Sequence, residues 1–75
     1  MERDDRRAEV HFVELAGPGA RAALAPVAAE ARAAGGAVEL LAAVDQADLW
    51  LLLVRGASPA VPQGARHWRF RPEQP

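Results

Sequence analysis

The sequence predicts a single α+β domain, in which a small antiparallel-type sheet carries one Ala-rich helix on one face. Four short segments show the alternation of side chains, with a period of two, that is typical of strands. Between the first and second of these segments, apolar residues recur with the 3.6-residue period of a helix. The elements therefore follow one another in the order β-α-β-β-β, and a chain of 75 residues has room for one such domain.

The first predicted strand covers residues 9–15. Val10 and Phe12 share one face of this strand, while Val13 and Leu15 share the other. Because both faces carry apolar side chains, we expect the strand to lie in the interior of the sheet rather than at an edge.

The predicted helix runs from about residue 19 to residue 34. Gly17-Pro18-Gly19 ends the first strand and opens the helix, because proline is well tolerated in a first helical turn, and Gly35-Gly36 ends it. Pro26 lies inside the helix, where proline removes a hydrogen bond and bends or ends the helix. Since the apolar stripe keeps its phase across Pro26, we expect one bent helix rather than a helix that begins again there.

Three more strands are predicted after the helix. Residues 37–44 form the second strand, and a turn at 45–48 leads to the third, 49–55, which is apolar on both faces. Such a strand belongs at the centre of a sheet that is covered on both sides. A surface loop, 56–64, then leads to the last strand, 65–71.

The order of elements also predicts a topology. The first two strands should run parallel, joined by a helical crossover, with the third strand between them. This arrangement resembles half of a ferredoxin-like fold in which a loop replaces the second helix. A likeness in fold carries no function with it.

The two ends of the chain are expected to lie outside the domain, which occupies residues 9–72. Residues 1–8 contain six consecutive charges of both signs and are predicted to form a flexible charged arm. Residues 73–75 are predicted to form a tail.

The composition argues against metal and thiol chemistry. The chain has no cysteine and only two histidines, so disulfides and zinc-thiolate sites are excluded. Carboxylates at the spacing of a metal site are also missing. We therefore expect no cofactor and no metal.

The charge balance and hydropathy argue against nucleic acids and membranes as general partners. Nine basic residues face ten acidic ones, which gives a net charge of −1 and no broad attraction to polyanions. The longest strongly apolar stretch, residues 49–54, is far shorter than the roughly 20 residues that span a bilayer. No secretory signal is visible at the N-terminus. These observations favour a cytoplasmic protein that does not bind membranes.

The third strand supplies the candidate interface. Its residues are Leu49, Trp50, Leu51, Leu52, Leu53 and Val54. One helix covers one face of a sheet, so either the leucines at 49, 51 and 53 or the alternate set at 50, 52 and 54 should remain open. An open apolar face of this size is unusual in a soluble monomer. We expect a homodimer or another protein partner to cover it, by packing sheet face to sheet face or by exchange of the last strand. The alternative is that the arm, the loop and the tail fold over it.

The last strand supplies a candidate basic surface, formed by Arg66, His67, Arg69 and Arg71. Alternation places Trp68 and Phe70 on one face and Arg69 and Arg71 on the other. We interpret this pattern as two core aromatics backed by a solvated basic face, and we expect Trp50 and Trp68 both to be largely buried. The alternative is a surface on which single-stranded nucleic acid stacks.

The two histidines, His11 and His67, share a face if the first and last strands are neighbours. A carboxylate beside them, Glu9 or Glu14, would give a pair capable of acid–base chemistry. No activated nucleophile accompanies them, since the only serine, Ser58, lies in the predicted loop. We therefore expect no catalytic residues and no enzymatic activity.

Three functions remain open on the sequence. The first is a non-enzymatic structural or interaction protein that self-associates or serves as an accessory subunit of a larger assembly. The second is a module that binds a small or regulatory ligand. The third is a weak binder of single-stranded nucleic acid through strand 66–71.

Overall fold

The computed structural model describes residues 9–73, so the predicted arm, 1–8, and the last two residues of the predicted tail lie outside it. The described part forms one helix and four strands, which confirms the α+β class. These elements are β1 (Val10–Ala16), α1 (Ala20–Ala33), β2 (Ala37–Ala42), β3 (Leu49–Arg55) and β4 (Arg66–Phe70).

The four strands form one sheet in the order β2-β3-β1-β4, and each neighbouring pair is antiparallel. Since β1 and β2 are both antiparallel to β3, they run in the same direction, as predicted. The prediction that β3 lies between them is confirmed, and so is the interior position of β1. The two edges of the sheet are β2 and β4.

The helix α1 continues through Pro26, so the prediction of one helix rather than two is correct. Pro26 is exposed on the side of the helix away from the sheet, where water can solvate the Ala22 carbonyl that lacks its usual N–H donor. The helix ends with backbone bonds from the Gly35 N–H to the Arg32 carbonyl and from the Gly36 N–H to the Ala31 carbonyl. Gly35 has a φ of +93°, which glycine adopts without strain.

The second strand is shorter than predicted. It ends at Ala42 instead of residue 44, and Val44 is 97% exposed in the turn that follows. The hairpin is closed by a bond from the Ala43 N–H to the Leu49 carbonyl, and Asp48 in the turn has a positive φ of 59°. The turn therefore begins two residues earlier than the apolar pattern indicates, and Val44 is left outside the sheet.

The hydrophobic core lies between α1 and one face of the sheet, which we call the helix face. Its buried members are Val13, Leu24, Val27, Ala28, Ala31, Leu52 and Val54. Leu15, Val38, Leu40, Trp50, Ala57 and Ala65 pack around them. Ala57 and Ala65 belong to the loop between β3 and β4, so this loop also packs against the helix face. Among residues 9–73, no helix is long and apolar enough to span a bilayer.

Candidate functional site

The opposite side of the sheet, which we call the open face, is mainly apolar, with Glu14, Glu39, Arg55 and Arg66 among its apolar side chains. Alternation along each strand places there Val10, Phe12, Leu41, Leu49, Leu51, Leu53, Trp68 and Phe70. The strand register joins them into rows, because Phe12 lies opposite Leu53 on one side and Trp68 on the other. In the next row Leu51 lies between Leu41 and Glu14. None of the described helices or loops forms a second core on this face.

The open face has only shallow hollows, and apolar side chains line most of their surface. Phe12 and Phe70 meet edge to face, with ring centroids 5.3 Å apart. At the same end of the sheet is a groove of about 410 Å³, which is lined by Val10, Phe12, Arg55, Phe70, Arg71 and Pro72. At the other end is a hollow of about 230 Å³, which is lined by Glu14, Leu41, Ala42, Ala43, Leu49 and Leu51. The face therefore has one hollow at each end, both lined mainly by apolar side chains.

The interpretation of Trp68 and Phe70 as core aromatics is wrong. Trp68 is 40% exposed and Phe70 is 55% exposed. The reason is that β4 is an edge strand and that these two side chains point away from α1. Trp50 lies on the helix face and is half-buried, with the Arg21 guanidinium 5.8 Å from its ring centroid. The expectation that both tryptophans are largely buried is therefore wrong for Trp68 and only partly right for Trp50.

The six candidate interface residues are divided between the two faces. Leu49, Leu51 and Leu53 lie on the open face and are half-buried. Leu52 and Val54 have no exposed surface, because they belong to the core under α1. Trp50 packs against that core on the same side. The open set is therefore the leucine set.

Sequence reasoning did not assign Phe12, Trp68 and Phe70 to this same surface. Alternation along β1 and β4 already indicates this surface, since all three side chains point to the side opposite to the core residues of the same sheet. What was missing was the position of β4 beside β1, which brings Trp68 next to Phe12.

The candidate basic surface is also divided. Arg66 lies on the open face, and its guanidinium is 3.9 Å from the Glu14 carboxylate. His67 and Arg69 point to the helix-face side of β4, where both are exposed. Arg71 follows the end of β4 and lines the open-face groove. These four residues therefore do not form one continuous positive surface.

The two histidines do come together, on the helix-face side of β1 and β4. His11 Nδ1 and His67 Nε2 are 3.0 Å apart, and the two rings are nearly parallel, with centroids 5.2 Å apart. His11 is only 4% exposed. The Glu9 carboxylate is 3.8 Å from His11 Nε2 and 3.9 Å from the Arg69 guanidinium. Of the two carboxylates considered from the sequence, Glu9 is therefore the neighbour, whereas Glu14 lies on the open face.

The environment of His11 favours its neutral form. Burial is the largest cause that lowers its pKa, and the nearby His67 and Arg69 lower it further, while Glu9 acts in the opposite direction. One imidazole donates its N–H to the unprotonated nitrogen of the other. Among residues 9–73, no three His, Asp or Glu side chains are arranged to hold a metal ion. Ser58 is exposed in the loop between β3 and β4.

Comparison with known proteins gave no relative. No family model matches the chain, and neither the curated proteins nor the solved structures contain a match.

Proposed function

We propose that this chain is a non-enzymatic interaction protein that forms a homodimer by packing its open face against the open face of a second copy. The observation that carries this proposal is the apolar sheet face that no described element covers. Its most exposed members, Leu41, Trp68 and Phe70, are large side chains that a monomer would leave in water.

The burial available on this face is large relative to the stability of a small domain. Each Leu-size side chain removed from water contributes about 1.5–3 kcal/mol. The large side chains of the open face keep only about half of their surface exposed, so three or four of them supply about 2–6 kcal/mol, a substantial fraction of the roughly 5–15 kcal/mol that stabilises a typical domain. A second copy presents the same face by two-fold symmetry, so no other partner is required.

The charges on the open face are compatible with this packing. Glu14 lies in the middle of the sheet, and a lone carboxylate buried there would oppose association strongly. Arg66 lies across from it on β4 and provides the opposite charge, with the two groups 3.9 Å apart. This pair is therefore nearly neutral in an interface, and the other two charged residues on the strands of the open face, Glu39 and Arg55, are exposed and also of opposite sign.

We also infer that the fold is a ferredoxin-like arrangement in which the loop between β3 and β4 replaces the second helix. The parallel β1 and β2, joined through α1 and separated by β3, support this inference. A second helix would cover β1 and β4 on the helix-face side. Its replacement by a loop is consistent with the exposure of His67 and Arg69 there.

The test of the homodimer is a charge placed on the open face. Leu53 lies between Glu39 and Phe12 in the centre of that face, so Leu53→Glu should convert a dimer into a monomer at about 100 µM, as measured by light scattering. Ala29→Glu is the matched control, because Ala29 is exposed on the outer side of α1 and should leave the dimer intact. A wild-type chain that is monomeric at this concentration and thermally stable would disprove the proposal.

A second candidate function, binding of single-stranded nucleic acid, gains one observation from the structure. Trp68 and Phe70 are exposed on the same side of β4 as Arg66, which is what a stacking surface needs. The net charge of −1 and the Glu14 carboxylate beside Arg66 oppose it. Titration of tryptophan fluorescence with a single-stranded oligonucleotide at about 150 mM salt distinguishes the two functions. Micromolar binding that is lost in Trp68→Ala together with Arg66→Gln would favour the nucleic acid.

A further inference from the structure

The histidine pair and the open-face aromatics lie on opposite sides of the same strand. In β4, His67 points to the helix-face side, while its neighbour Trp68 and then Phe70 point to the open face. Any change that detaches β4 from β1 therefore also removes both aromatics from the open face.

The strand β4 is held to the sheet mainly through β1. It is an edge strand whose five residues are all exposed, and α1 packs mainly over β2 and β3. Besides the backbone ladder, side-chain contacts join it to β1 and to Glu9, the residue that precedes β1. They are His67 with His11, Phe70 with Phe12, Arg69 with Glu9, and Arg66 with Glu14. The histidine contact is the only one of these four in which one side chain is almost completely buried.

We propose that protonation of the histidine pair releases β4 from β1 and thereby dissociates the dimer, which makes self-association of this chain pH-dependent. The part of this inference that concerns the dimer rests on the proposed function. The release of β4 itself does not depend on it.

The chemistry of the pair explains why two protons are needed. In the neutral pair, one N–H donates to the lone pair of the other ring across 3.0 Å. A first proton leaves this bond in place, because an imidazolium donates to a neutral imidazole. A second proton turns both facing nitrogens into donors. The hydrogen bond is then lost, and two positive charges face each other at the same distance.

Among residues 9–73, the surroundings do not neutralise the second charge. Just before β1 the neighbour is Glu9, and on β4 it is Arg69, which shares that carboxylate. The residue of β3 opposite His11 is the apolar Val54. The residues that α1 buries against the sheet are also apolar, being alanine, leucine and valine. One carboxylate therefore faces two imidazolium groups and a guanidinium.

The direction of the pH effect follows from the neutral state of His11. Its pKa lies below the ordinary value of 6.5, because of burial and the positive charges of His67 and Arg69. The unfolded chain takes up a proton near that ordinary value, whereas the folded chain resists it. The contribution of neutral His11 to the stability of the fold is therefore fully present above pH 6.5 and is lost progressively as the pH falls below this value.

The experiment measures the dimer dissociation constant by sedimentation at about pH 7.5 and about pH 5. In the wild type we expect the constant to rise about tenfold or more on acidification. In His67→Gln the rise should fall below about twofold, because the glutamine carbonyl accepts from His11 in either state and adds no charge. Arg32→Gln is the control, since Arg32 is exposed in the last turn of α1, outside both the pair and the open face, and it should keep the tenfold rise. A wild-type constant that does not change while both imidazoles titrate by NMR would overturn the inference.

Hydrogen exchange separates this inference from the proposed function. After correction for the intrinsic exchange rate, protection of the β4 amides should fall about tenfold relative to the β2 amides between the same two pH values. A chain that is monomeric at both pH values but shows this loss disproves the homodimer and supports the histidine pair as the element that releases β4. Equal protection of β4 and β2 at both pH values disproves the release, whatever the oligomeric state. This measurement needs only the wild-type chain, so it does not depend on whether a histidine variant folds.

Discussion

The two faces of this sheet are made of similar residues, but they differ in what covers them. On the helix face, Leu52 and Val54 are completely buried under α1. On the open face, Trp68 and Phe70 keep 40% and 55% of their surface exposed. A strand with apolar side chains on both sides can therefore bury either face. Which face becomes the core of the single chain depends on where α1 packs.

The comparison between the faces is most direct in β3, where adjacent leucines point in opposite directions. The largest effect we predict is for Leu52→Ala, which should cost about 2–5 kcal/mol because it leaves a cavity under α1. This is enough to unfold much of a domain of this size. Urea denaturation at about 1 µM protein would measure it.

Leu51→Ala is the matched variant on the open face. At about 1 µM, where a homodimer of moderate affinity dissociates, its cost should be well below that of Leu52→Ala, because Leu51 already contacts solvent. At about 100 µM its cost should grow as the dimer forms. Equal costs for the two leucines at both concentrations would mean that the open face is not an interface between copies.

A second large effect is expected where the loop after β3 meets the end of α1. A Cβ added at Gly36 would lie 2.9 Å from the Ala31 carbonyl oxygen and 2.9 Å from Ala57 Cβ. The first of these atoms belongs to the backbone, so Gly36→Ala should cost about 1–3 kcal/mol by forcing the helix end and the loop apart. Gly19→Ala is the control, because a Cβ there meets nothing within 4 Å. Thermal unfolding of both variants at equal concentration would measure this difference and show how tightly the loop packs against the helix face.

The element order and the central position of β3 could be predicted from the sequence because both rest on local periodicity. The helix through Pro26 could be predicted for the same reason, since the apolar stripe keeps its phase there. The face chosen by α1 could not be predicted, because β3 is apolar on both sides. The exposure of Trp68 could not be predicted either, since alternation gives the direction of a side chain but not the presence of a cover.

The histidine pair was predictable in outline. The sequence indicates that His11 and His67 share a face if their strands are neighbours, and the structure places β4 beside β1 with the two nitrogens 3.0 Å apart. The choice of Glu9 over Glu14 depends on which face the histidines occupy, and alternation along β1 assigns Glu9 to the same face as His11. The burial of His11 depends on packing and could not be read from the sequence.

A smaller loss of stability is expected from truncation of Trp68. A fully buried tryptophan would cost about 3–5 kcal/mol on truncation, but Trp68 is 40% exposed in the single chain. Trp68→Ala should therefore cost only about 1–2 kcal/mol at low protein concentration and should weaken the dimer more strongly than it destabilises the fold. Emission of Trp68 in a Trp50→Phe background should shift to shorter wavelength as the dimer forms. Unchanged emission between about 1 µM and 100 µM would place Trp68 outside the interface.

The smallest effect is expected from the ion pair on the open face. The Arg66 guanidinium is mostly exposed and 3.9 Å from the Glu14 carboxylate, so Arg66→Gln should change the stability of the single chain by no more than about 0.5 kcal/mol. In the dimer the same variant leaves Glu14 without an opposite charge in an apolar interface, so it should weaken association. Glu14→Gln changes the other member of the pair. It removes the carboxylate and should strengthen association, because an amide is less costly to bury than a carboxylate. Sedimentation of both variants therefore tests the interface with changes that barely affect the fold. If neither Arg66→Gln nor Glu14→Gln changes the dissociation constant, Glu14 does not lie inside the interface and the copies meet elsewhere.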